Sequence, residues 1–391
     1  MRVGAEVLAD DGFDRIDGLR VGVVANQASI AGGEPLIDLL ATSATVELSA
    51  VFTPEHGLQA DAPAGETVAD SVNAATGVPV FSLYGSARSP TPEAMATIDV
   101  LLFDLQDVGA RFYTYTSTMG LAMQAAAAAG VPFVVLDRPN PLGGTYIAGY
   151  RRAPAFDSFI GQYPIPAVHG LTTGELAMAI MGESWLPGLE QLDLRVVTME
   201  GWTRDQLWPD TGLAWLPPSP GLPTEASALV YPGTVLFEAA SVSAGRGTPE
   251  PFQVVGAPWV DGDGLAQQLN ERQLPGVHFE PVTFVPAPSP SVPSPLLAGQ
   301  TCHGVRIVVD DRERFGPVET GVHLFQALLA HATAAGVEGF VASPELLDRL
   351  AGTDELRLAL ESGVPAADVI AAWADDIADF EERRQPYLLY E

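Results

Sequence analysis

Through the first half of the chain, short apolar runs alternate with helix-like segments, and each run stops abruptly at polar side chains. RVGVVA (20–25) ends at Asn26, and residues 46–53 lead into Pro54, Glu55, His56 and Gly57. VPVFSLYG ends around Tyr84, and VLLFDLQDVGARFYTY carries Asp104, Gln106, Asp107, Arg111 and Tyr113. FVVLDRPNPLGG (133–144) ends in Asp137, Arg138 and Asn140, set between prolines. EPLIDLLAT, TPEAMATI and STMGLAMQAAAAAG lie between these runs. The alternation predicts βαβ units, and the apolar character of each run predicts an α/β fold on a parallel sheet covered on both faces. Open sheets of this kind bind ligands outside the carboxyl ends of their strands. The polar residues therefore fall where the fold class puts a ligand, on exits that prolines stiffen and glycines bend.

Composition narrows the chemistry. At 391 residues and 47% hydrophobic content the chain supports two sizeable cores, which predicts two domains. Its 49 acids against 19 bases give a formal net charge of -30. Such a charge repels phosphate backbones and anionic bilayers, so neither nucleic acid nor membrane is an expected partner. No stretch nears the roughly 18 uninterrupted apolar residues of a membrane span, and no basic, apolar leader opens the sequence, so a cytoplasmic protein is expected. All 19 bases are arginine. Without lysine there is no Schiff base, no pyridoxal anchor and no P-loop. Cys302, the single cysteine, removes intramolecular disulfides and multi-cysteine metal sites, and its strand-like setting reads as a small buried hydrophobe. The six histidines show no HExxH spacing, and the first strand is followed by ANQASIAGG rather than GxGxxG. Neither a metal nor a dinucleotide cofactor is expected.

Downstream, FIGQYPIPAVHGLTTGELAMAIMGE puts a Thr172 or Thr173 cap before a helix from about Gly174, with Glu175 in its first turn and His169 just ahead. An acid there can serve the helix dipole alone. His169, Gly170 and Glu175 also echo Glu55, His56 and Gly57, two carboxylates each beside a histidine that could converge on one pocket. The stretch 205–227, dense in proline and tryptophan, marks the expected junction between a first domain, 1–220, and a smaller α+β domain, 221–391. In the second part Arg246 lies between Gly245 and Gly247. That setting lets a ligand oxygen approach backbone amides and a guanidinium together; a tight hairpin is the alternative. VHFEPVTFVP and HGVRIVVDD read as strands, and VHLFQALLAHATA, DELRLALESG and DVIAAWADDIADFEERR as amphipathic helices. PAPSPSVPSP (286–295) lies between two strands and reads as a long surface loop.

The segments TPEHGLQ, FDLQDVGARFYTY, LDRPNPLGG, PAVHGLTTGELA, YPGTVLFE and GRGTPEPFQVVGAPW, in this order, resemble the motifs of the bacterial exo-acting β-N-acetylmuramidases, a glycoside hydrolase family, over nearly the whole chain. The resemblance implies a Rossmann-like N-terminal domain, a smaller C-terminal domain, and a pocket between them. That pocket would remove N-acetylmuramic acid from the non-reducing end of peptidoglycan fragments, in cell-wall turnover or salvage. It places the family's acidic candidates on Glu55 of PEHG and Glu175 of HGLTTGE. Glycoside cleavage commonly uses one protonated carboxyl for the leaving oxygen and a second as base, nucleophile or charge stabiliser; participation by the substrate's own acetamido group needs only one. The lactyl carboxylate of such a substrate asks this acidic chain for a local cation. Arg111, Arg138 and Arg246 are the candidates for a bidentate grip. Asn26, His56, Asp107, Tyr113, Asp137, Asn140 and His169 complete the expected lining of the glycan site. Gly221, Ser241 and Ala244 depart from the family pattern near the expected pocket and bear on the leaving sugar. Two other readings use the same residues: a non-catalytic muropeptide or sugar-acid binding protein, and a metal-dependent hydrolase built on Glu55, His56, Asp104, Asp107 and His169.

Overall fold

A computed structural model describes residues 1–391. The first part of the chain supplies β1 (Arg20–Ala25), a small ribbon of β2 (Ile30–Ala31) and β3 (Glu34–Pro35), and β4 (Glu47–Thr53). It continues with β5 (Ser71–Val72), β6 (Pro79–Ser82), β7 (Val100–Asp104), β8 (Phe133–Leu136) and β9 (Leu194–Val197). Apart from the ribbon these make one seven-stranded sheet in the order β5-β6-β4-β1-β7-β8-β9. Only the edge strand β5 runs antiparallel. The six parallel strands follow the doubly wound Rossmann order, whose switch point lies between β1 and β7.

The continuous apolar runs have a two-sided cause. Val100 and Leu102 of β7 join Val21 and Val23 under the helices Gly4–Asp10 and Leu36–Thr42. Leu101 and Phe103 point the other way, to Phe52, Phe133 and the helix Tyr115–Ala129. Each such side chain contributes about 1.5–3 kcal/mol on burial, so polar residues are confined to strand exits. Asn26, Glu55, Asp107 and Asp137 follow the carboxyl ends of β1, β4, β7 and β8 and thus share one rim, as expected.

The second part forms an antiparallel sheet in the order β10-β12-β11, from β10 (Val254–Ala257), β11 (Val277–Phe284) and β12 (Cys302–Val309). The helix Gly262–Asn270 packs on it, the helix Pro317–Ala334 packs on that helix and on Glu225–Thr234, and one apolar core runs unbroken into the first domain. The expected helix through DVIAAWADDIADFEERR is two, Ala366–Ala371 and Ala374–Arg384. Beyond it the chain returns to the first sheet. Tyr390 Oη donates to Asp137 at 2.6 Å, the Leu389 N–H donates to Glu175 at 2.9 Å, and Arg384 donates to the carbonyls of Gly144 and Gly170. The last residues of the expected second domain are thus built into the first. No helix is long and apolar enough to cross a membrane.

Candidate active site

A cleft of about 180 Å³ opens between the β4 and β7 exits and the second domain. Pro54 carries the chain out of the sheet and delivers Glu55, 7% exposed, to the cleft wall. Its Oε1 accepts from the Gly65 N–H at 2.9 Å and its Oε2 from Thr114 Oγ1 at 2.8 Å, so the carboxyl group is held from both sides. Burial, and next the charge of Glu55, push the neighbouring Tyr84 up to about 12. His56 sits in the left-handed region at φ 73°, an unusual backbone for a residue with a Cβ. Its Nδ1 lies 2.7 Å from the Ala62 carbonyl, which can only accept, so this nitrogen carries the proton and Nε2 is the acceptor. Burial holds the imidazole below its ordinary pKa despite Glu55, and Arg246 acts in the same direction as burial.

Across the cleft stand Tyr231, Glu238 and Arg246. Gly245 and Gly247, at φ 75° and 81°, turn the backbone so that Arg246 projects between them. Its Nη1 pairs with Glu238, leaving the rest of the fork open. Tyr113 also lines the cleft, with its hydroxyl unpartnered. Thr114 and Glu238 escaped the sequence reading. Glu238 closes the YPGTVLFE segment eight residues ahead of Arg246, and that acid-then-arginine spacing was the available signal.

Most other expected site residues are scaffold. Glu175 is fully buried at the third position of the helix Thr173–Gly182, in a capping box with Thr172. Its Oε1 accepts from Arg204 at 2.6 Å and from the Leu389 N–H, its Oε2 from the Thr172 N–H, and the side chain has no exposed surface to meet a substrate. Asp137 accepts from the Gly174 and Arg138 N–H groups, Thr172 Oγ1 and Tyr390 Oη. Arg138 is bidentate on Asp104, at 2.6 and 2.9 Å. Arg111 is buried without a carboxylate. It donates to Leu350 O at the end of the helix Pro344–Ala351, where the helix dipole favours a cation, and burial pushes it down to about 9. Asn26 bonds Tyr115 Oη and the Ala28 N–H, and Asn140 bonds Leu171 O and the Leu142 N–H. Among the five side chains of the metal reading, as elsewhere, no trio of His, Cys, Asp or Glu lies close enough to share a cation.

Glu175→Gln should therefore act on stability rather than on turnover. Weakening a buried, charge-assisted contact to Arg204 should cost about 1–3 kcal/mol of unfolding free energy. Turnover per folded molecule should stay near the parent's. A large loss of kcat at unchanged stability, read by denaturant titration beside kinetics, would return Glu175 to the chemistry.

Asp107 and His169 line a small second cavity with Tyr115. Asp107 Oδ2 accepts from the Gly109 N–H at 2.7 Å while Oδ1 has no partner. His169 Nδ1 accepts from the Leu171 N–H, which puts its proton on Nε2, unpartnered and 3.9 Å from Asp107. Burial pushes Asp107 up to about 7 and His169 down to about 3, so both favour the neutral form. A carboxyl raised on folding stabilises the fold at low pH, and that contribution is lost as pH climbs from its ordinary value of about 3.9 through 7. A histidine lowered on folding does the reverse, losing its contribution as pH falls from about 6.5 toward 3. Asp107→Asn removes only the first effect. Relative to the parent, the variant should gain roughly 2 kcal/mol between pH 5 and pH 8, read by thermal denaturation at each pH. A pH-independent difference would show that Asp107 does not titrate in that window.

The fold and cleft define a two-domain α/β protein with a carboxyl-centred cleft between its parts. Models of the exo-β-N-acetylmuramidase NamZ family match residues 21–226 with the N-terminal part and 229–390 with the C-terminal part. The peptidoglycan β-N-acetylmuramidase NamZ of Bacillus subtilis strain 168 is 39% identical over the whole chain and 91% of its own length. Two crystal structures of DUF1343 family proteins from Bacteroides fragilis NCTC 9343 superpose over 100% of the chain and 99% of their own, with TM-scores of 0.92 and 0.83 at 36% and 32% identity. The chain belongs to the exo-β-N-acetylmuramidase family, as its motifs implied.

Proposed function

We propose that this glycoside hydrolase removes terminal N-acetylmuramic acid from the non-reducing end of peptidoglycan-derived glycans, with Glu55 as the carboxyl group that moves the proton. The reading rests on Glu55, held by Gly65 and Thr114 at the wall of a cleft that also presents Arg246. The full-length likeness to the B. subtilis enzyme supports it. Residues 1–220 carry Glu55, and residues 221–391 bring Glu238 and Arg246 to close the cleft.

With Glu175 sequestered, the arrangement favours assistance by the substrate. The acetamido oxygen attacks the anomeric carbon as its bond to the leaving oxygen breaks, and Glu55 gives that oxygen a proton. Water then opens the cyclic intermediate, returning a proton to Glu55 and restoring the acetamide. The first-formed product keeps the β configuration. Arg246, with Nη1 anchored on Glu238, offers its remaining N–H groups to the lactyl carboxylate.

The test is to incubate the purified protein with an aryl β-N-acetylmuraminide, with and without a chelator, and follow the product anomer by NMR. Chelator-resistant release of the β anomer is expected. An α product would make Glu238 the second catalytic carboxyl, and binding without hydrolysis would favour a muropeptide sensor.

A further inference from the structure

The Glu55 cleft leaves unused the place where a doubly wound sheet ordinarily receives a ligand, the gap at the switch point between β1 and β7. A crevice of about 200 Å³ lies there, with room for one ring system. Ala28 and Ile30 reach it from beyond β1, Gln106 from beyond β7 and Arg138 from beyond β8, and the strap 208–216 forms its outer wall. It shares no residue with the cleft.

The walls are apolar at Val3, Ile30, Leu213 and Leu216 and polar at a few points. Arg138 commits Nε and Nη2 to Asp104 and Ile30 O, while Nη1 has no partner. Only 5% of this residue is exposed, and it lines the crevice. Glu6 stands at the same crevice. Its oxygens accept from the Val3 and Gly32 N–H groups at 2.9 and 3.0 Å, and each keeps a lone pair. Two further wall residues, Gln106 and Trp208, hold a buried acceptor, Oε1, and a buried donor, Nε1, that nothing in the chain satisfies.

The charges decide the class of occupant. An anion would face Glu6 and, behind Arg138, Asp104; a cation would face the guanidinium. Either would lose its hydration without a net counter-charge. An uncharged molecule with a flat apolar body and both a donor and an acceptor suits walls of this kind. We infer that the crevice is a second ligand site, separate from the glycosidase cleft, and that it takes an uncharged heterocycle of nucleobase size bearing N–H and C=O groups. A ring carbonyl accepts from Arg138 Nη1, a ring N–H donates to Glu6, and the apolar walls take the ring faces.

Saturation-transfer NMR on the full chain tests this with uracil and with 1,3-dimethyluracil, which keeps the ring and both carbonyls but has no N–H. Uracil should bind the parent, and dimethyluracil should bind about tenfold or more weaker. Ala214→Trp and Leu216→Trp fill the crevice from exposed positions on the strap, so the fold, checked by thermal melting, should hold. Each should weaken uracil binding by about tenfold or more. No uracil binding in the parent, or binding that survives unchanged in both variants, overturns the site. Equal binding of the two rings overturns the donor contact to Glu6 and with it the class of ligand.

Discussion

Glu55→Gln is expected to lower kcat on the β-linked disaccharide of N-acetylmuramic acid and N-acetylglucosamine by roughly 10² to 10⁴ while KM stays near the parent value. The amide keeps the size of the carboxyl group, and its oxygen can still accept from either Thr114 Oγ1 or the Gly65 N–H. It cannot give or take a proton. The loss should therefore fall on the step that breaks the glycosidic bond and leave binding alone. The leaving group sharpens the test, because a nitrophenolate departs without protonation and a sugar alkoxide does not. The defect should be deeper on the disaccharide than on the aryl glycoside. Near-parental turnover of both would move the proton transfer to another residue, with Glu238 next in line.

The second large effect concerns Arg246. In the parent, kcat/KM should favour the muraminide over the corresponding N-acetylglucosaminide by on the order of a hundredfold, the equivalent of a few kcal/mol from a charge-assisted bond to the lactyl carboxylate. Arg246→Met should erase most of that preference, for two reasons with the same sign. The carboxylate loses its donor, and Glu238, released from its partner, becomes a like charge facing it. Glu238→Gln separates the two contributions, since it removes the repulsion while leaving the guanidinium in place. Stability should barely move in either variant, because the pair is about a quarter exposed and such pairs contribute about 1 kcal/mol or less. A selectivity ratio that survives Arg246→Met would limit Arg246 to a structural ion pair.

Much of the fold was legible because strands covered on both faces must read as unbroken apolar runs, and the Thr172–Glu175 capping box signals its helix from four residues. The site was only half legible, for a related reason. A polar residue at a strand exit has two origins that look identical along the chain: it can face a ligand, or it can lock neighbouring loops together. Glu55 does the first. Asp137, Asn140 and Arg138 do the second, with partners 31 to 253 positions away that only the tertiary structure brings close. Glu238 was missed because it follows no strand. It lies on the short turn Val235–Ala239 after the helix Glu225–Thr234. Helix ends were also elusive: TPEAMATI yields only the single turn Pro92–Met95.

The return of residues 384–391 to the first sheet bears on how the protein is made. During synthesis the Rossmann-like sheet leaves the ribosome first, yet Asp137 and Glu175 each lack one of their donors until Tyr390 and Leu389 emerge, after the whole second domain has been translated. The nascent first domain is therefore held short of completion, with two buried acids each waiting for its last donor. A fragment of residues 1–226 should accordingly be cut by protease faster than the same region of the full chain, and a synthetic peptide of residues 384–391 supplied in trans should slow the cutting. Equal rates with and without the peptide would mean that the sheet closes on its own.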